Sequence, residues 1–455
     1  MTQSDDRPVG QASVAAANAA ADSAIPGSKG YRYYVLGVLL VVYVFNFIDR
    51  QILSILMEPV RADLGLSDTQ LGFLSGIAFA LFYATLGIPI ARLADRTSRT
   101  GVIAVCVGVW SAMTAVCGLA QNFWQMLAAR IGVAIGEAGG SPPSHSLIAD
   151  YFKEHERATA LGIFALGVPI GVMFGLFIGG WANEFFGWRI TFMLVGLPGV
   201  ALAFVVWFTV KEPRKGSASG MAVERPPEVS LKAVFGFLWG QRSFRFMALA
   251  SAVHAFVGYG IAQWYPAFFI RSHDMSTGEV GTYLAFVIGL FGGIGTFLGG
   301  YLADVLGRRD RRWYMWLPLI ATGLATPFFF GVFLSPTYGM AFVYMMIPTM
   351  LTSFYLGPVF SMTQGLVPPI MRATAAAVLL FVINIIGLGL GPQFVGILSD
   401  FLRPEFGEES LRYAMLILSM FTVLGAALYW FAGVFLRDDL DRVQHWVREV
   451  EPTKD

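Results

Sequence analysis

Twelve long apolar runs, joined mostly by short polar segments, constrain this chain more than any other feature. A bilayer core requires about 20 apolar residues per transmembrane helix. Only 13% of the 455 residues are charged, whereas soluble domains carry about 25%. The sequence therefore predicts an all-α integral membrane protein of twelve transmembrane helices in two six-helix bundles. The helices are expected near residues 33–57, 68–91, 100–120, 123–147, 158–182 and 188–209, and then near 244–270, 279–303, 313–334, 338–362, 372–398 and 411–436.

The apolar runs define two bundles, at residues 31–210 and 244–436, and three polar segments. Residues 1–30 are rich in Ala, Ser, Gly and Asp, and we expect them to form a disordered tail. Residues 211–243 are predicted to be a linker, and residues 437–455 a second tail. The apolar residues of this second tail have helical spacing: Leu440, Val443, Trp446 and Val447. Such spacing favours a helix on the membrane surface or a solvated tail helix.

The distribution of positive charge predicts the orientation. Of the 31 Lys and Arg residues, 24 fall in segments on the side of the N-terminus and five in the opposite loops; the other two lie within spans. Positive residues concentrate on the cytoplasmic side of membrane proteins. We therefore expect both termini and the linker to be cytoplasmic, with the protein in a plasma or inner membrane. The net charge of +1 gives no reason to expect a nucleic-acid partner.

The two halves repeat a loop. Residues 91–99 follow the second predicted helix and residues 300–309 follow the eighth, and aligning Asp95 with Asp304 gives an offset of 304 − 95 = 209 residues. Both loops then lie at equivalent helix ends. Internal repeats of this kind are typical of transporters built from related halves.

These loops resemble the signature loop of the major facilitator superfamily, although Ala91 and Ser98 stand where glycines are usual. Residues 130–138 of the fourth predicted helix are similar to a further motif of that superfamily. So is the glycine motif of the fifth helix: Gly167, Pro169 and Gly171. The motif can provide flexibility at a gate or close helix packing, and for the glycines we favour packing.

Within the superfamily, two segments resemble the Spinster-like branch. One is Asn46 to Arg50 in the first predicted helix; the other is Gly136 to Ala138, followed by residues 146–152. Members of that branch are associated with the export of sphingolipids and lysophospholipids, so the resemblance implies a lipid substrate. Carriers of sugar acids and aromatic acids share parts of these motifs, which keeps a small organic anion open as the alternative.

Four charged residues lie within predicted spans of the first half: Asp49, Arg50, Arg130 and Glu137. A lone charge at mid-bilayer costs about 2.5–3.5 kcal/mol on insertion scales. If all four are ionised their charges sum to zero, and protonating one carboxylate would free one guanidinium. We predict Glu137 as the first proton carrier and Asp49 as the second. Arg50 and Arg130, with Asn46, are predicted to bind a substrate headgroup; the alternative is a purely structural salt-bridge network.

The second half offers no comparable cluster of buried charge, and its candidates are polar and aromatic. They are predicted to complete an apolar cavity, although aromatic residues at helical spacing more often serve packing. The candidates are His254, Tyr259, Gln263, Trp264, Tyr355, Phe381 and Asn384.

The charged residues of the two repeated loops are predicted to form a cytoplasmic gate. Charge pairs between them would hold the halves together in the outward-open state and break when the protein opens inward. The alternative is a solvated surface cluster. The residues are Asp95, Arg96, Arg99, Asp304, Arg308 and Arg309.

These features predict a secondary active transporter that works by alternating access and moves an amphipathic anionic or zwitterionic lipid. We expect protons as the coupling ion, no other cofactor, no metal site and a monomer. An enzyme would need a nucleophile or metal constellation that the spans do not display. A receptor or scaffold would not explain the buried charges and the internal repeat.

Overall fold

A computed structural model describes residues 27–213 and 231–450. Within these ranges the regular structure is helical, and no strand occurs. Most of the predicted N-terminal tail, the middle of the predicted linker and residues 451–455 lie outside the described residues. The all-α prediction is confirmed.

Six helices form the first half, and their bounds follow the predicted spans to within seven residues. Gly187, at φ 77°, separates α5 from α6. Helix α4 is broken near Gly139 and Gly140, just before the adjacent prolines 142 and 143, which have no backbone N–H to donate. The helices are α1 (Lys29–Leu64), α2 (Asp68–Arg96), α3 (Arg99–Cys117), α4 (Phe123–Glu137 and Ser141–Tyr151), α5 (155–186) and α6 (188–209).

Six more helices form the second half. They are α7 (Arg242–His273), α8 (Thr277–Gly307), α9 (Trp313–Leu334), α10 (Tyr338–Gly365), α11 (372–406) and α12 (Ser410–Val450). Nine continuous helical stretches in the described residues are long and apolar enough to span a membrane. Two of these stretches each contain a pair of helices, and the two pieces of α4 are individually too short to be counted. The structure is therefore consistent with twelve spans.

The internal repeat extends to the way helices begin. Ser67 and Gln70 form a capping box at the start of α2, and Ser276 and Glu279 form one at the start of α8. In each box the Ser hydroxyl accepts from a backbone N–H while the longer side chain accepts from the Ser N–H. Since 276 − 67 = 209, these boxes have the same offset as Asp95 and Asp304. The equivalent helices of the two halves thus begin with the same local chemistry.

The start of α1 and the end of α12 lie on one face of the protein, which we call the terminal face. The two halves meet at the other face, which we call the opposite face. Helix α5 packs closely on the first part of α8, and the last part of α11 packs on the start of α2. A Cβ on Gly281 would collide with the carbonyl oxygen of Leu176, and one on Gly180 with that of Thr277. Glycine at these positions lets the α5 and α8 backbones touch.

Toward the terminal face the halves separate. Within the described residues, Gly292–Gly307 of α8 and Arg372–Ile383 of α11 make no extensive contact with the first half. The hydrogen bonds between the halves instead concentrate near the opposite face, and Ser54 Oγ donating to the Gln263 carbonyl, at 2.8 Å, is one of them. The space between the halves therefore opens toward the terminal face.

Two of the predicted polar segments contain helix within the described residues. Leu231–Trp239, in the predicted linker, is helical because Val234 and Leu238, four residues apart, are both fully buried against the second half. The predicted second tail continues α12 without a break to Val450. Val443 is buried in the protein, so this part of the tail packs on the second half.

Candidate substrate and proton site

Arg50 and Glu137 form an ion pair in the middle of the first half. Arg50 Nε on α1 donates to Glu137 Oε2 on α4 at 2.6 Å. The Glu137 side chain is fully buried, whereas 19% of the Arg50 side chain is exposed. Charge-assisted hydrogen bonds of this length are strong. Arg50 therefore lies between the buried carboxylate and the open space.

The break in α4 positions Glu137. Glu137 is the last residue of the first piece of α4, and the preceding Gly136 lies so close to α3 that a Cβ would collide with the backbone of Trp110. Asn46, one turn before Arg50 on α1, is also buried beside Glu137. Close packing of α4 on α3 thus fixes the carboxylate next to α1.

Three aromatic rings surround the Arg50 guanidinium. Its Cζ lies 4.5 Å from the ring centroid of Tyr83, 5.1 Å from Phe47 and 5.3 Å from Phe79. Arg130 Cζ lies 5.4 Å from the same Phe79 ring. Cation–π contacts contribute about 0.5–2 kcal/mol each, more when desolvated. Phe79 consequently contacts both arginines, a relationship that the sequence did not reveal.

Asp49 and Arg130 are the other two charged residues, and their hydrogen bonding is incomplete. Both are almost fully buried, and Asp49 lies within electrostatic range of both Glu137 and Arg130. Neither carboxylate oxygen of Asp49 has a hydrogen-bond partner in the described part of the chain, although Thr114 and Trp110 are adjacent. Asp49 can therefore accept a proton without weakening a hydrogen bond to a charged partner. A proton on the unpartnered Glu137 Oε1 would weaken the ionic contact between Glu137 Oε2 and Arg50.

The four charged residues predicted to form one cluster are thus brought together by α1 and α4. Their arrangement is more specific than the prediction, since Arg50 pairs with Glu137, whereas Asp49 lies within electrostatic range of both Glu137 and Arg130. The glycine motif of α5 supports this cluster by packing on α1. Gly167 packs on Tyr43, and Gly171 packs on the α1 backbone at Val44 and on Phe47, so both glycines let α5 approach the helix that carries Arg50.

Comparison with known proteins identifies the fold family. The family model for the Major Facilitator Superfamily matches residues 39–392. The chain belongs to the major facilitator superfamily. A solved bacterial homolog of the human lysosomal transporter Spinster, in an inward-facing and unoccupied conformation, superposes with a TM-score of 0.83. It is 34% identical, and the match covers 91% of this chain and 99% of the other.

Two curated relatives agree with this assignment. An MFS-type efflux pump of Mycolicibacterium smegmatis is 34% identical, over 89% of this chain and 93% of its own length. A sphingosine-1-phosphate transporter of Danio rerio is 23% identical, over 91% of this chain and 86% of its own length. The protein is therefore a Spinster-like transporter and not an enzyme.

In this Spinster-like transporter His254 lies inside the second half. Its Nε2 is 2.8 Å from the Thr352 carbonyl oxygen and its Nδ1 is 3.1 Å from Thr322 Oγ1. Because a carbonyl only accepts, Nε2 carries a proton, and Thr322 then donates to Nδ1. The ring centroids of His254 and Tyr355 lie 4.2 Å apart, and His254 lines a cavity of about 200 Å³ between helices of the second half. His254 and Tyr355 thus belong to the interior of one bundle.

The remaining cavity candidates have different surroundings. Tyr259 is 40% exposed and lies within electrostatic range of Arg50, so it faces the first half across the open space. Trp264 is fully buried, and its Nε1 donates to the Pro392 carbonyl at 3.0 Å. In this conformation Trp264 packs α7 on α11 and does not line the open space. Among the others, the Gln263 carbonyl accepts from Ser54, Phe381 is 49% exposed, and Asn384 begins a π-helical segment.

Two of the predicted gate residues make contacts within their own halves in this conformation. Arg99 is buried, and it donates to Glu212 at 2.7 Å and pairs with Asp150 at 2.6 Å, both in its own half. It therefore braces the first half in this conformation, because three polar partners surround its guanidinium. Asp304 similarly accepts from Tyr314 of its own half at 2.8 Å. The other four are exposed on the terminal face: Asp95, Arg96, Arg308 and Arg309.

Sequence reasoning missed a charged network between the halves at the opposite face. Arg271 on α7 is buried, and it pairs with Asp68 of α2 and with Glu58 of α1. Arg61 reaches Glu408 at 3.0 Å. The opposite-face network consists of Glu58, Arg61, Asp68, Arg271 and Glu408. The only available signal was that Arg61 and Arg271 are two of the few arginines on that side.

Proposed function

We propose that this chain is a proton-coupled secondary transporter that moves an amphipathic anionic or zwitterionic lipid by alternating access. The observation that carries the proposal is the 2.6 Å pair of Arg50 and Glu137. In this pair one hydrogen bond joins a partly exposed guanidinium to a fully buried carboxylate, at the edge of the open space. A proton and an anion can compete for that bond.

Charge balance links the two ligands. With all four groups ionised, Asp49, Arg50, Arg130 and Glu137 sum to zero. A proton on Glu137 removes its negative charge, leaves the cluster at +1 and frees Arg50 to bind a phosphate or carboxylate. Guanidinium is suited to this because its planar donors match such groups. Loss of the proton restores the ion pair and expels the anion.

Asp49 provides a second protonation step. Because neither of its oxygens has a hydrogen-bond partner among the described residues, whereas Glu137 is held by the charged Arg50, Asp49 is proposed to take a proton first in this conformation. The sequence-based order placed Glu137 first. Protonated Asp49 would leave Arg130 uncompensated, so Arg130 could then attract Glu137 away from Arg50. The two carboxylates would act in succession.

A lipid is favoured over a small organic anion by the surroundings of the headgroup site. Phe47, Phe79 and Tyr83 flank Arg50, and the half-exposed Tyr259 lies across the open space, so the charged group is bordered by apolar surface. A relative named as a sphingosine-1-phosphate transporter handles a molecule of this kind. The alternative, a proton-coupled carrier of a small organic anion, predicts saturation by a water-soluble acid.

The conformation fits one state of the cycle. With the terminal face proposed to be cytoplasmic, the open space faces inward while the opposite-face network closes the outside. The proposal is supported by a solved relative that is described as inward-facing and superposes with a TM-score of 0.83. Outward opening would require the opposite-face network to break. We further propose that the protein works as a monomer, with both termini cytoplasmic, in a plasma or inner membrane.

Flux in reconstituted vesicles tests the proposal. Uptake of a labelled lysophospholipid or sphingoid phosphate should rise with an imposed pH gradient and collapse with a protonophore. Glu137→Gln should abolish the pH dependence, whereas Glu405→Gln, at an exposed position near the opposite face, should retain it. Competition by lysolipids but not by short organic acids supports the lipid; the reverse pattern supports the alternative. Flux that ignores the pH gradient in the unmodified protein would refute proton coupling.

A further inference from the structure

A basic cleft lies on the terminal face of the second half, far along the chain from the charge cluster. It has a volume of about 430 Å³ and lies between the α8–α9 loop, the end of α10 and the extension of α12. Arg309, Arg311 and Arg437 line it together with Asp310 and Asp441. Three guanidiniums therefore face two carboxylates.

One of the three arginines is already paired. Arg437 donates to Asp310 at 2.7 and 3.2 Å. Burial would raise the pKa of Asp310, but the Arg312 backbone N–H and Arg437 outweigh it and hold that pKa below its ordinary value. Asp310 therefore stays ionised and fixes Arg437. Arg309 and Arg311 have no carboxylate within salt-bridge distance among the described residues, so positive charge remains available.

The walls of the cleft are fixed to the bundle. Asp439, two residues after Arg437, is buried and accepts from the Ser243 backbone N–H at 2.7 Å, which ties the α12 extension to the start of α7. Leu440 contributes to the apolar floor and packs against Gly365. The wall of the cleft that carries Arg437 is therefore attached to the second half.

Aromatic residues connect the cleft to the membrane. The rings of Trp316 and Trp430 stack with centroids 6.4 Å apart, and Arg312 Cζ lies 5.6 Å from the Trp316 ring. Arg437 follows Trp430 by seven residues, nearly two turns, so both are on the same side of α12. Tryptophan is enriched at the level of lipid headgroups. The cleft is thus placed where a headgroup meets the protein.

We propose that this cleft binds the phosphate of an anionic membrane phospholipid as a resident lipid, separate from the transported substrate. The phosphate would interact with Arg309 and Arg311, and the acyl chains would run along α12 past Trp430. Basic pockets between transmembrane helices on the cytoplasmic side of a bilayer bind such headgroups. The terminal face is the proposed cytoplasmic face. A bound lipid would brace the α8–α9 loop, which carries the second copy of the repeated motif.

Native mass spectrometry of the full chain in detergent tests the proposal. Dioleoylphosphatidylglycerol should be retained more strongly than dioleoylphosphatidylcholine. The double variant Arg309→Gln/Arg311→Gln should weaken retention of the anionic lipid at least about tenfold, since each basic residue near a membrane surface adds to the attraction. The matched control is Lys232→Gln/Arg245→Gln, which removes two exposed charges elsewhere on the second half. An equal loss in this control would overturn the site.

Two further arms separate this site from its rivals. Arg50→Gln alters the proposed substrate site, so phosphatidylglycerol retention that survives Arg50→Gln but not the double variant supports a separate lipid site. Loss with Arg50→Gln alone would assign the lipid to the central site. Inorganic phosphate that displaces the lipid at comparable concentration would overturn the lipid assignment in favour of a free phosphate site. Elution volume and melting temperature show whether each variant is folded.

Discussion

The guanidinium of Arg271 makes two parallel hydrogen bonds, of 2.7 and 2.8 Å, to the carboxylate of Asp68, which lies 203 residues away in the other half. Asp68 also accepts from Ser399 at 2.7 Å. Both charges of the pair are almost completely buried. This bidentate pair fastens the first turn of α2 to the end of α7 and closes the opposite face.

Removing one partner should open that face. Breaking a buried ion pair from one side costs about 3–5 kcal/mol, because the remaining charge is left uncompensated. Arg271→Gln is therefore expected to shift the population toward the outward-open state. The measurement is maleimide labelling of Ser54→Cys, which is buried here at the closed face. Labelling should accelerate at least about tenfold.

The control for this prediction is Arg403→Gln. Arg403 pairs with Glu408 at 2.8 Å in the same region, but both side chains are partly exposed. Exposed pairs contribute about 0–1 kcal/mol, so its labelling rate should remain close to that of the parent. Equal rates in Arg271→Gln and Arg403→Gln would show that the pair does not hold the face closed.

The aromatic contact shared by the two arginines should affect substrate affinity. Phe79→Leu removes the ring beside both Arg50 and Arg130 while keeping an apolar side chain. Loss of one or two cation–π contacts, at about 0.5–2 kcal/mol each, should raise the KM for the transported anion about tenfold. Phe204→Leu, at an exposed ring of α6, is the control. An unchanged KM in initial-rate flux assays would exclude this role.

The pH profile should separate the two buried carboxylates. Asp49→Asn mimics protonated Asp49 and removes its titration while Glu137 remains able to bind a proton, so substrate exchange should persist with weakened dependence on external pH. Glu137→Gln removes the ionic partner of Arg50, so anion binding should become constant with pH while net proton-driven uptake stops. Exchange and uptake, each measured across a range of pH, distinguish these results. Identical profiles for both variants would contradict a division of roles.

The sequence was sufficient to predict the helices and the charge cluster because both follow from local rules. A bilayer requires long apolar runs, which predict the helices. An uncompensated charge within such a run is costly, so the sequence predicts that Asp49, Arg50, Arg130 and Glu137 lie close together. Their pairing was not predictable, because it depends on how closely Gly136 lets α4 approach α3. The Arg271–Asp68 pair depends on how the two halves dock. The spacing of apolar residues along each helix contains no information about this docking.

The repeated loops give a prediction for the other state of the cycle. Asp95 is exposed here on the terminal face, and its loop is proposed to meet the second half when that face closes. Asp95→Asn should therefore weaken the outward-open state and increase the inward-open population. A probe attached at an exposed position on each loop would report the change as a longer mean distance under outward-favouring conditions. An unchanged distance distribution would indicate a solvated surface cluster.

The glycine contact between α5 and α8 provides the last test, because it depends on shape and not on charge. A Cβ on Gly281 would collide with the carbonyl oxygen of Leu176, which is backbone and cannot swing away. Overpacking of this kind costs about 1–3 kcal/mol, and the cost applies only while the opposite face is closed. Gly281→Ala should therefore favour the outward-open state and accelerate labelling of Ser54→Cys. Gly293→Ala lies in the same helix with open space around it, so it should label at the parent rate. If Ser54→Cys were labelled at the parent rate in Gly281→Ala as well, the close α5–α8 contact would not control opening of the opposite face.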